Sequence, residues 1–396
     1  MKRTTLWAAI VGLLAAVQPG VGGGAAAAEA PYPRSTYVTG FDLNWGSYRR
    51  LAEESDNWAM TWAADGRLYA PWGDGGGFRQ PGRPVTRVSL GLGMLEGNTA
   101  ASLRGVNLIG GLAPRIAQCM ELTRPDPADP YRTSPCFGKG QHGKSWGILA
   151  RGEQLYMWVM PRSAARSLYS EARLYRARRN SNDWTRADWA FGPRDPVHLV
   201  QPTWLQAGQD YADIGDYLYV YAVRHAPTNI NTFSTHRLRA GGGQIVLLRV
   251  PKSADPMRKD NYEYFAGADG GGRASWTKSP AGLKAVFSNP AGVGWTVSAT
   301  YVKALDRFFL ITEHDVSQRG KIGIFESPNP HGPWRTVFYG DLTDGTSRVP
   351  LRAFFANFVP NSFSDGGRRF TLSFTGIEAL DALNLVDGRF TIGSGG

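Results

Sequence analysis

Hydrophobic residues along most of the chain alternate with polar ones at a period of two, which is typical of β-strands. A strand-like run is followed by a tight turn and a second, aromatic run, as in DNWAMTWAADGRLYAPWGDG. The same arrangement recurs in GKSWGILARGEQLYMWVMPR, QPTWLQAGQDYADIGDYLYVYAVRH, VGWTVSATYVKALDRFFLITEHD and FANFVPNSFSDGGRRFTLSFTGIE. Patterns of an amphipathic helix are scarce, and Gly and Pro interrupt nearly every candidate. The pattern therefore predicts an all-β chain made of five repeated units.

A further strand-like segment follows each unit, and radial repetition of such sheets protects the edges of a long all-β chain. We therefore expect a five-bladed β-propeller over residues 31–392, in which the segment TYVTGFDLNW supplies an outer strand. A pair of β-sandwiches is the alternative. It is disfavoured because the units run along the whole segment and no linker separates two halves.

The two ends of the chain have a different composition. Lys2 and Arg3 precede the apolar run LWAAIVGLLAAV and then small residues, which is the pattern of a secretory signal peptide. We expect residues 1–30 to be removed, residues 393–396 to form a flexible tail, and the protein to be secreted or periplasmic. The apolar run is shorter than the roughly 20 residues that span a bilayer, so we expect no membrane insertion.

The geometry of a propeller brings particular polar residues to one rim, because the start of the innermost strand and the end of its antiparallel neighbour lie at the same face. In the first unit these are Asp56 and Asp74, and the turn Asp65-Gly66 lies at the opposite end. In the fourth unit Glu313 ends the second strand. The three carboxylates are the catalytic candidates, and the binding candidates at this rim are His142, Lys144, Arg162, Arg224, His225, Trp295, His314 and Asn357.

Aromatic residues are abundant, with 13 Trp, 16 Tyr and 18 Phe. We expect Trp58, Trp62 and Trp146 to form the floor beneath the polar rim. Indole faces stack on the C–H faces of sugars, while charged groups bind their hydroxyls or acid groups. This combination predicts a polysaccharide or oligosaccharide as the ligand.

The net charge and the motifs that are missing narrow the classes of ligand that the protein can bind. The formal charge of +11 favours polyanions, so acidic glycans are among the candidates. No nucleic-acid-binding signature, phosphate loop, dinucleotide fingerprint or zinc motif is present, and we expect no nucleic-acid partner, metal or cofactor.

Cys119 and Cys136 flank a proline-rich loop and are expected to form a disulfide in an oxidising compartment. We expect a monomer.

Several stretches of the sequence are shared with a known group of proteins. They are DNWAMTWAADGRLYAPWGDGGGF, RVSLGLG, GKSWGILARGEQLYMWV, VGWTVSATYVKALDRFFLITEH and FESPNPHGPWRTV. In these the chain resembles a family of secreted bacterial β-propellers of unknown function, which is similar to the endo-D-arabinanases, five-bladed glycoside hydrolases. The resemblance implies the propeller fold and an exported protein, and it points to carbohydrate as the substrate.

Three functions remain open from the residues. A glycoside hydrolase would use Asp56 or Asp74 as the ionised carboxylate and Glu313 as the general acid. A polysaccharide lyase would use Arg224 or Lys144 to neutralise a uronate, and His142, His225 or Tyr211 to move the proton. The third function is glycan binding without catalysis, since propellers serve many functions.

Overall fold

The computed structural model of the chain describes residues 29–79, 88–109, 142–163, 166–169, 171–181, 183–192, 195–224, 243–295, 297–315, 318–345, 353–376 and 381–394. No α-helix occurs in these ranges, so the prediction of an all-β chain is confirmed. Regular helical structure in this part of the chain consists of short 3-10 turns at Gln209–Tyr211, Lys259–Asn261, Pro280–Gly282 and Lys303–Leu305. Within the described ranges, no helix is both long and apolar enough to cross a membrane.

The first sheet, unit 1, is an antiparallel meander in sequence order. Its strands are β2 (Thr61–Trp62), β3 (Leu68–Gly75), β4 (Val88–Glu96) and β5 (Arg104–Ile109). Asp65 and Gly66 lie in the turn between β2 and β3, where Gly66 has a φ of 81°, which a glycine adopts without strain. The predicted hairpin turn is confirmed.

The second sheet, unit 2, follows the same plan. Its strands are β6 (His142–Arg151), β7 (Gln154–Ser163), β8 (Arg166–Tyr169), β9 (Arg173–Arg178) and β10 (Thr185–Arg186). Their order is β10-β9-β7-β6, and β8 pairs with β7.

The third sheet has ten strands and consists of two antiparallel meanders joined side by side. Unit 3 contains β11 (Leu199–Gln206), β12 (Tyr217–Arg224), β13 (Gln244–Pro251), β14 (Glu263–Ala268), β15 (Ala274–Thr277) and β16 (Ala285–Ser288). Unit 4 contains β17 (Val297–Val302), β18 (Arg307–Glu313), β19 (Lys321–Ser327) and β20 (Arg335–Asp341). The units meet at a short parallel pairing in which Leu205 lies opposite Ala299.

The fourth sheet, unit 5, joins the two ends of the described chain. It contains β21 (Phe354–Phe358), β22 (Arg369–Thr375), β23 (Leu383–Ile392) and β1 (Val38–Leu51). The long strand β1 pairs antiparallel with β23 and forms the outer edge. The outer strand predicted at TYVTGFDLNW is thus confirmed, and successive meanders completed by the first strand are the topology of a β-propeller.

Hydrogen bonds between innermost strands link each unit to the next, and unit 5 to unit 1. They run from Ala150 N to Thr61 Oγ1 (2.9 Å), Gln206 Nε2 to Ile148 O (2.9 Å), Ser298 Oγ to Ala356 O (2.8 Å) and Asn357 Nδ2 to Trp58 O (3.3 Å), in addition to the β11–β17 pairing. The units therefore close into a ring around a central channel.

Aromatic side chains fill the space between neighbouring sheets. Between units 1 and 5, Trp58 and Trp72 stack at 5.6 Å and pack with Leu385. Between units 4 and 5, Phe309 stacks on Phe390 at 4.9 Å. Full burial of one such side chain contributes about 1.5–3 kcal/mol, so the ring is held together chiefly by these layers.

In each unit, the innermost strand has at least one extra residue between two positions that pair with the neighbouring strand. Such an extra residue is a β-bulge. The register shifts between Ser145 and Gly147 in unit 2, and between Val200 and Thr203 in unit 3. Residues at these insertions are Asn57, Trp146, Gln201, Trp295 and Phe355. Asn57, Gln201 and Phe355 have positive φ, so the bulge forces a left-handed backbone on residues other than glycine.

Three of the inserted side chains meet across the channel, and their hydrogen bonds join unit 4 to units 1 and 2, neither of which is its neighbour in the ring. Trp295 Nε1 donates to Asn57 Oδ1 at 3.0 Å, and Trp146 Nε1 donates to the Trp295 carbonyl at 2.8 Å. The two indoles meet edge to face at 4.6 Å. We call Asn57, Trp146 and Trp295 the channel plug, because these contacts join units 1, 2 and 4 through the centre.

We predict that Trp295→Ala lowers the free energy of unfolding by about 3–5 kcal/mol, because it removes a buried indole and the hydrogen bond that this indole donates to Asn57 across the channel. Urea denaturation followed by tryptophan fluorescence measures this change. Trp276→Ala is the matched control, since Trp276 lies partly exposed on the outer strand β15. Equal losses in the two variants would contradict a structural role of the plug.

Candidate functional site

Asp56 and Asp74 reach the same rim through the pairing of the chain segments that carry them. Asp56 N donates to Gly73 O at 2.8 Å, and Gly73 N donates to Asp56 O at 2.7 Å. Asp74 follows Gly73 directly and has a φ of 47°. The hairpin thus carries both carboxylates away from its Asp65-Gly66 turn.

Lys144, at the start of the innermost strand of unit 2, lies between these two carboxylates. Its Nζ is 2.9 Å from Asp56 Oδ1 and 2.6 Å from Asp74 Oδ2. The lysine side chain is 4% exposed, whereas those of Asp56 and Asp74 are 15% and 27% exposed. We call these three residues the acid–lysine cluster. An ammonium group with so little access to water is stable only beside negative charge, and the cluster carries a net charge of −1.

Gly73 permits the close approach within this cluster. A Cβ at this position would collide with Asp56 Oδ1, Lys144 Nζ and Lys144 Cδ. Gly73, the first glycine of WGDGGGF, is therefore required for the packing of this cluster.

Glu313 ends β18 and is 1% exposed. Its Oε2 accepts a hydrogen bond from Gln318 N at 2.7 Å, and its Oε1 accepts one from Phe355 N at 3.5 Å. The bond from Gln318 lies within unit 4, and the bond from Phe355 attaches unit 4 to unit 5. Gly294 packs so closely on Glu313 that a Cβ there would collide with it, and the neighbouring Trp295 bonds to Asn57 beside Asp56. Glu313 is therefore connected to the acid–lysine cluster through the channel plug.

His314 is buried next to Glu313. Its ring stacks on Tyr339 at 3.7 Å between centroids, and its Nδ1 lies 3.3 Å from Asp315 Oδ2. Burial lowers the pKa of His314 below its ordinary value of 6.5, and the attraction of Asp315 only partly offsets that effect. The imidazole is consequently neutral at pH 7.

The structure corrects the predicted tryptophan floor. Trp58, Trp146 and Trp295 are buried, the first against Trp72 and the other two in the channel plug, so they offer no open face for a sugar. Trp62 pairs with Leu68 beside the hairpin turn, at the end of the unit opposite Asp56. The sequence pattern identified aromatic strands but did not distinguish an indole that packs inward from one that faces solvent.

Three further binding candidates have structural partners. Tyr211 lies beyond the far end of β11, is buried, and its hydroxyl accepts a hydrogen bond from Tyr219 N at 2.9 Å; burial raises its pKa. It therefore does not belong to the predicted rim. Asn357 ties unit 5 to unit 1 through Trp58 O. Arg224 reaches Gln244 Oε1 at 3.5 Å and Leu283 O at 3.3 Å, within its own unit.

Other predictions fall outside what the structure describes. The backbone of His142 pairs with that of Arg162, but their side chains lie outside the described part, as do His225, Cys119 and Cys136 entirely. Among the described residues, no group of three or more His, Cys, Asp or Glu side chains is arranged to hold a metal ion.

Comparisons with known proteins bear on the fold. No protein-family model matches the chain, and no curated protein matches it. Among solved structures, one from Bacteroides ovatus ATCC 8483, described as a "putative hydrolase", has a TM-score of 0.51 at 14% identity, covering 86% of this chain and 87% of that one. At this identity the likeness shows the fold alone.

Two further structures resemble the chain more weakly. A GH43_1 enzyme from Xanthomonas citri has a TM-score of 0.43 at 10% identity, over 87% of this chain and 92% of that one. A family 117 glycoside hydrolase from Zobellia galactanivorans has a TM-score of 0.41 at 11% identity, over 90% of this chain and 89% of that one.

We predict that Lys144→Met lowers the free energy of unfolding by about 3–5 kcal/mol, because two carboxylates then face each other without a cation. Adding Asp56→Asn and Asp74→Asn to this variant should restore much of the loss, since the repulsion disappears. Urea denaturation of the single and triple variants measures both effects. A triple variant less stable than Lys144→Met would contradict this account of the cluster.

His314 should make stability depend on pH. Its pKa is lower in the folded state, so the unfolded chain binds more protons below about pH 6.5 and the stability contribution is lost as the pH falls through that range. The groups around it, Asp315, Lys321 and Asp341, remain in His314→Phe. Unfolding free energies measured at about pH 7.5 and about pH 5 should therefore fall less in that variant than in the wild type. An equal fall would exclude His314 as a cause.

Proposed function

We propose that this protein is a glycoside hydrolase whose active site is the acid–lysine cluster together with Glu313, at one rim of a five-bladed propeller. The observation that carries the proposal is the convergence of Asp56 and Asp74 on the buried Lys144. The count of five blades rests on dividing the ten-stranded sheet into units 3 and 4 at the parallel pairing of β11 and β17. The sequence resemblance to endo-D-arabinanases points in the same direction.

Hydrolysis requires a proton donor and a proton acceptor or nucleophile on either side of the glycosidic bond. Asp56 and Asp74 are partly exposed and ion-paired with Lys144, so they are the carboxylates suited to accept a proton from water or to attack the anomeric carbon. Glu313, at the end of β18, is the candidate donor to the leaving oxygen. A separation of about 5 Å between donor and acceptor would give retention, and roughly 6.5–9.5 Å would give inversion.

Lys144 has a different role from the sugar contact expected from the sequence. Its side chain is almost entirely buried, and both carboxylates lie within ion-pair distance of its ammonium. It is a positioning residue, because it fixes where Asp56 and Asp74 present their oxygens and balances one of their two charges.

Elimination from a uronate is disfavoured by the same geometry. The cluster has a net negative charge, which repels a uronate carboxylate. Tyr211 lies at the other end of its unit, and Arg224 bonds within unit 3. Glycan binding without catalysis remains an outcome of the experiment below.

The remaining organisation of the chain is part of the proposal. We infer that residues 1–30 direct export and are removed, that residues 31–392 form the propeller, and that the protein acts as a secreted or periplasmic monomer on a polysaccharide or oligosaccharide.

The decisive experiment measures new reducing ends and the ultraviolet absorbance of unsaturated uronate, on neutral arabinan and on polygalacturonate. We expect reducing ends without absorbance from the wild type. Asp56→Asn and Asp74→Asn should each reduce the rate by about 100-fold or more, because each removes a carboxylate that takes part in proton transfer or attack. Asp365→Asn, in an exposed turn, is the control and should retain full activity.

Two results would contradict the hydrolase. Absorbance with polygalacturonate would indicate elimination. Binding of a glycan without any product, unchanged in both aspartate variants, would indicate a binding protein.

A further inference from the structure

Gln201 is a polar residue that the fold buries without giving its side chain a partner. It is 0% exposed, and neither Oε1 nor Nε2 forms a hydrogen bond to any residue that the structure describes. Its backbone is also left-handed, with a φ of 51°. A buried amide without a partner is costly and rare, and such features concentrate where a protein binds something.

Gln201 lies next to the acid–lysine cluster in the ring. Its backbone N–H points at Met160 Sδ at 3.1 Å, and Met160 is directly opposite Lys144 in the β6–β7 pairing. Gln201 also occupies the inserted position of unit 3, the place that Asn57 occupies in unit 1. Gln201 and Asn57 therefore lie at the same height on the rim as the contact between Asp56 and Lys144.

The chemistry of the amide restricts its ligand. Oε1 only accepts hydrogen bonds and Nε2 only donates them, so both are satisfied by a ligand that offers a donor and an acceptor side by side. Two adjacent hydroxyl groups of a sugar ring do so. A carboxylate only accepts, and would leave Oε1 without a partner while facing the negative cluster.

We propose that Gln201 binds adjacent hydroxyl groups of a neutral sugar ring seated against the acid–lysine cluster, whose net negative charge disfavours a uronate at this position. This inference rests on the proposed function and specifies its substrate class. Gln201 is covered, so the sugar reaches it from the rim as the covering side chains move, a common change on binding.

Gln201→Met tests the inference, with Gln206→Met as the matched control on the same strand. Gln206 differs because its Nε2 donates to Ile148 O at 2.9 Å, a bond between units. Calorimetry measures binding of neutral arabino-, xylo-, gluco-, manno- and galacto-oligosaccharides and of trigalacturonate, and a thermal melt gives Tm. All measurements use the Glu313→Gln background, which removes the proposed proton donor and keeps the net charge of the acid–lysine cluster.

The expected result is that the parent binds a neutral oligosaccharide more tightly than trigalacturonate. Gln201→Met should weaken that binding by about tenfold or more without lowering Tm, because the bonds it removes are made only to the ligand. Gln206→Met should lower Tm and leave the affinity unchanged. A structural role for Gln201, for example through an ordered water, predicts the reverse: a lower Tm and unchanged affinity.

Three outcomes would overturn the inference: unchanged affinity in Gln201→Met, tighter binding of trigalacturonate by the parent, or no binding of any of these sugars. Failure of the hydrolase proposal is recognised separately. In that case the protein with Glu313 intact binds a neutral sugar, loses this binding when Gln201→Met is introduced, and releases no reducing ends.

Discussion

The inserted residue in each innermost strand is the constraint on which the centre of this molecule depends. A strand that carries an extra residue must bulge, and a bulge turns a side chain out of the regular alternation of the sheet. In units 1, 2 and 4 that side chain points across the channel, where Asn57, Trp146 and Trp295 bond to one another. The same bulges determine how high on the rim the neighbouring polar residues lie. Asp56 is one position before the inserted Asn57, and Lys144 is two positions before the inserted Trp146. Channel closure and presentation of charge are thus two results of one backbone irregularity.

The acid–lysine cluster shows how this backbone supports chemistry. An ammonium group that is 4% exposed is unfavourable alone, and its position between two carboxylates depends on a glycine where any side chain would collide. The two carboxylates keep more contact with solvent than the lysine does. The arrangement places the cation beneath and the acids toward the rim, which suits acids that act on a ligand and a lysine that holds them.

Sequence reasoning succeeded where the physics is local and periodic. Alternation of apolar residues gave the strands, Asp-Gly gave the turn at Asp65-Gly66, and hairpin geometry placed Asp56 and Asp74 at one rim. It failed where a result depends on contacts between units. Trp146 and Trp295 occur in strings that read like any other aromatic strand, and only the bulge makes them face each other. Lys144 pairs with two carboxylates of unit 1, one of which, Asp56, is 88 positions away in sequence, and no pattern within one strand reports such a contact. Tyr211 was misplaced because the strand before it runs away from the rim, a direction set by the order of the sheet.

Several buried polar groups lie at one level of the ring, and together they support the proposed binding site more strongly than any single residue does. Lys144, Glu313, Asn57 and Gln201 are all buried, and three of the non-glycine residues with positive φ, namely Asn57, Asp74 and Gln201, lie at the same rim. Each of these features destabilises the fold relative to an apolar residue in a regular strand. A β-propeller can be closed by apolar layers alone, as the aromatic stacks between its sheets demonstrate. Apolar packing therefore does not require a polar rim with strained backbone, whereas the proposed recognition of a hydroxyl-rich ligand by preorganised donors and acceptors does.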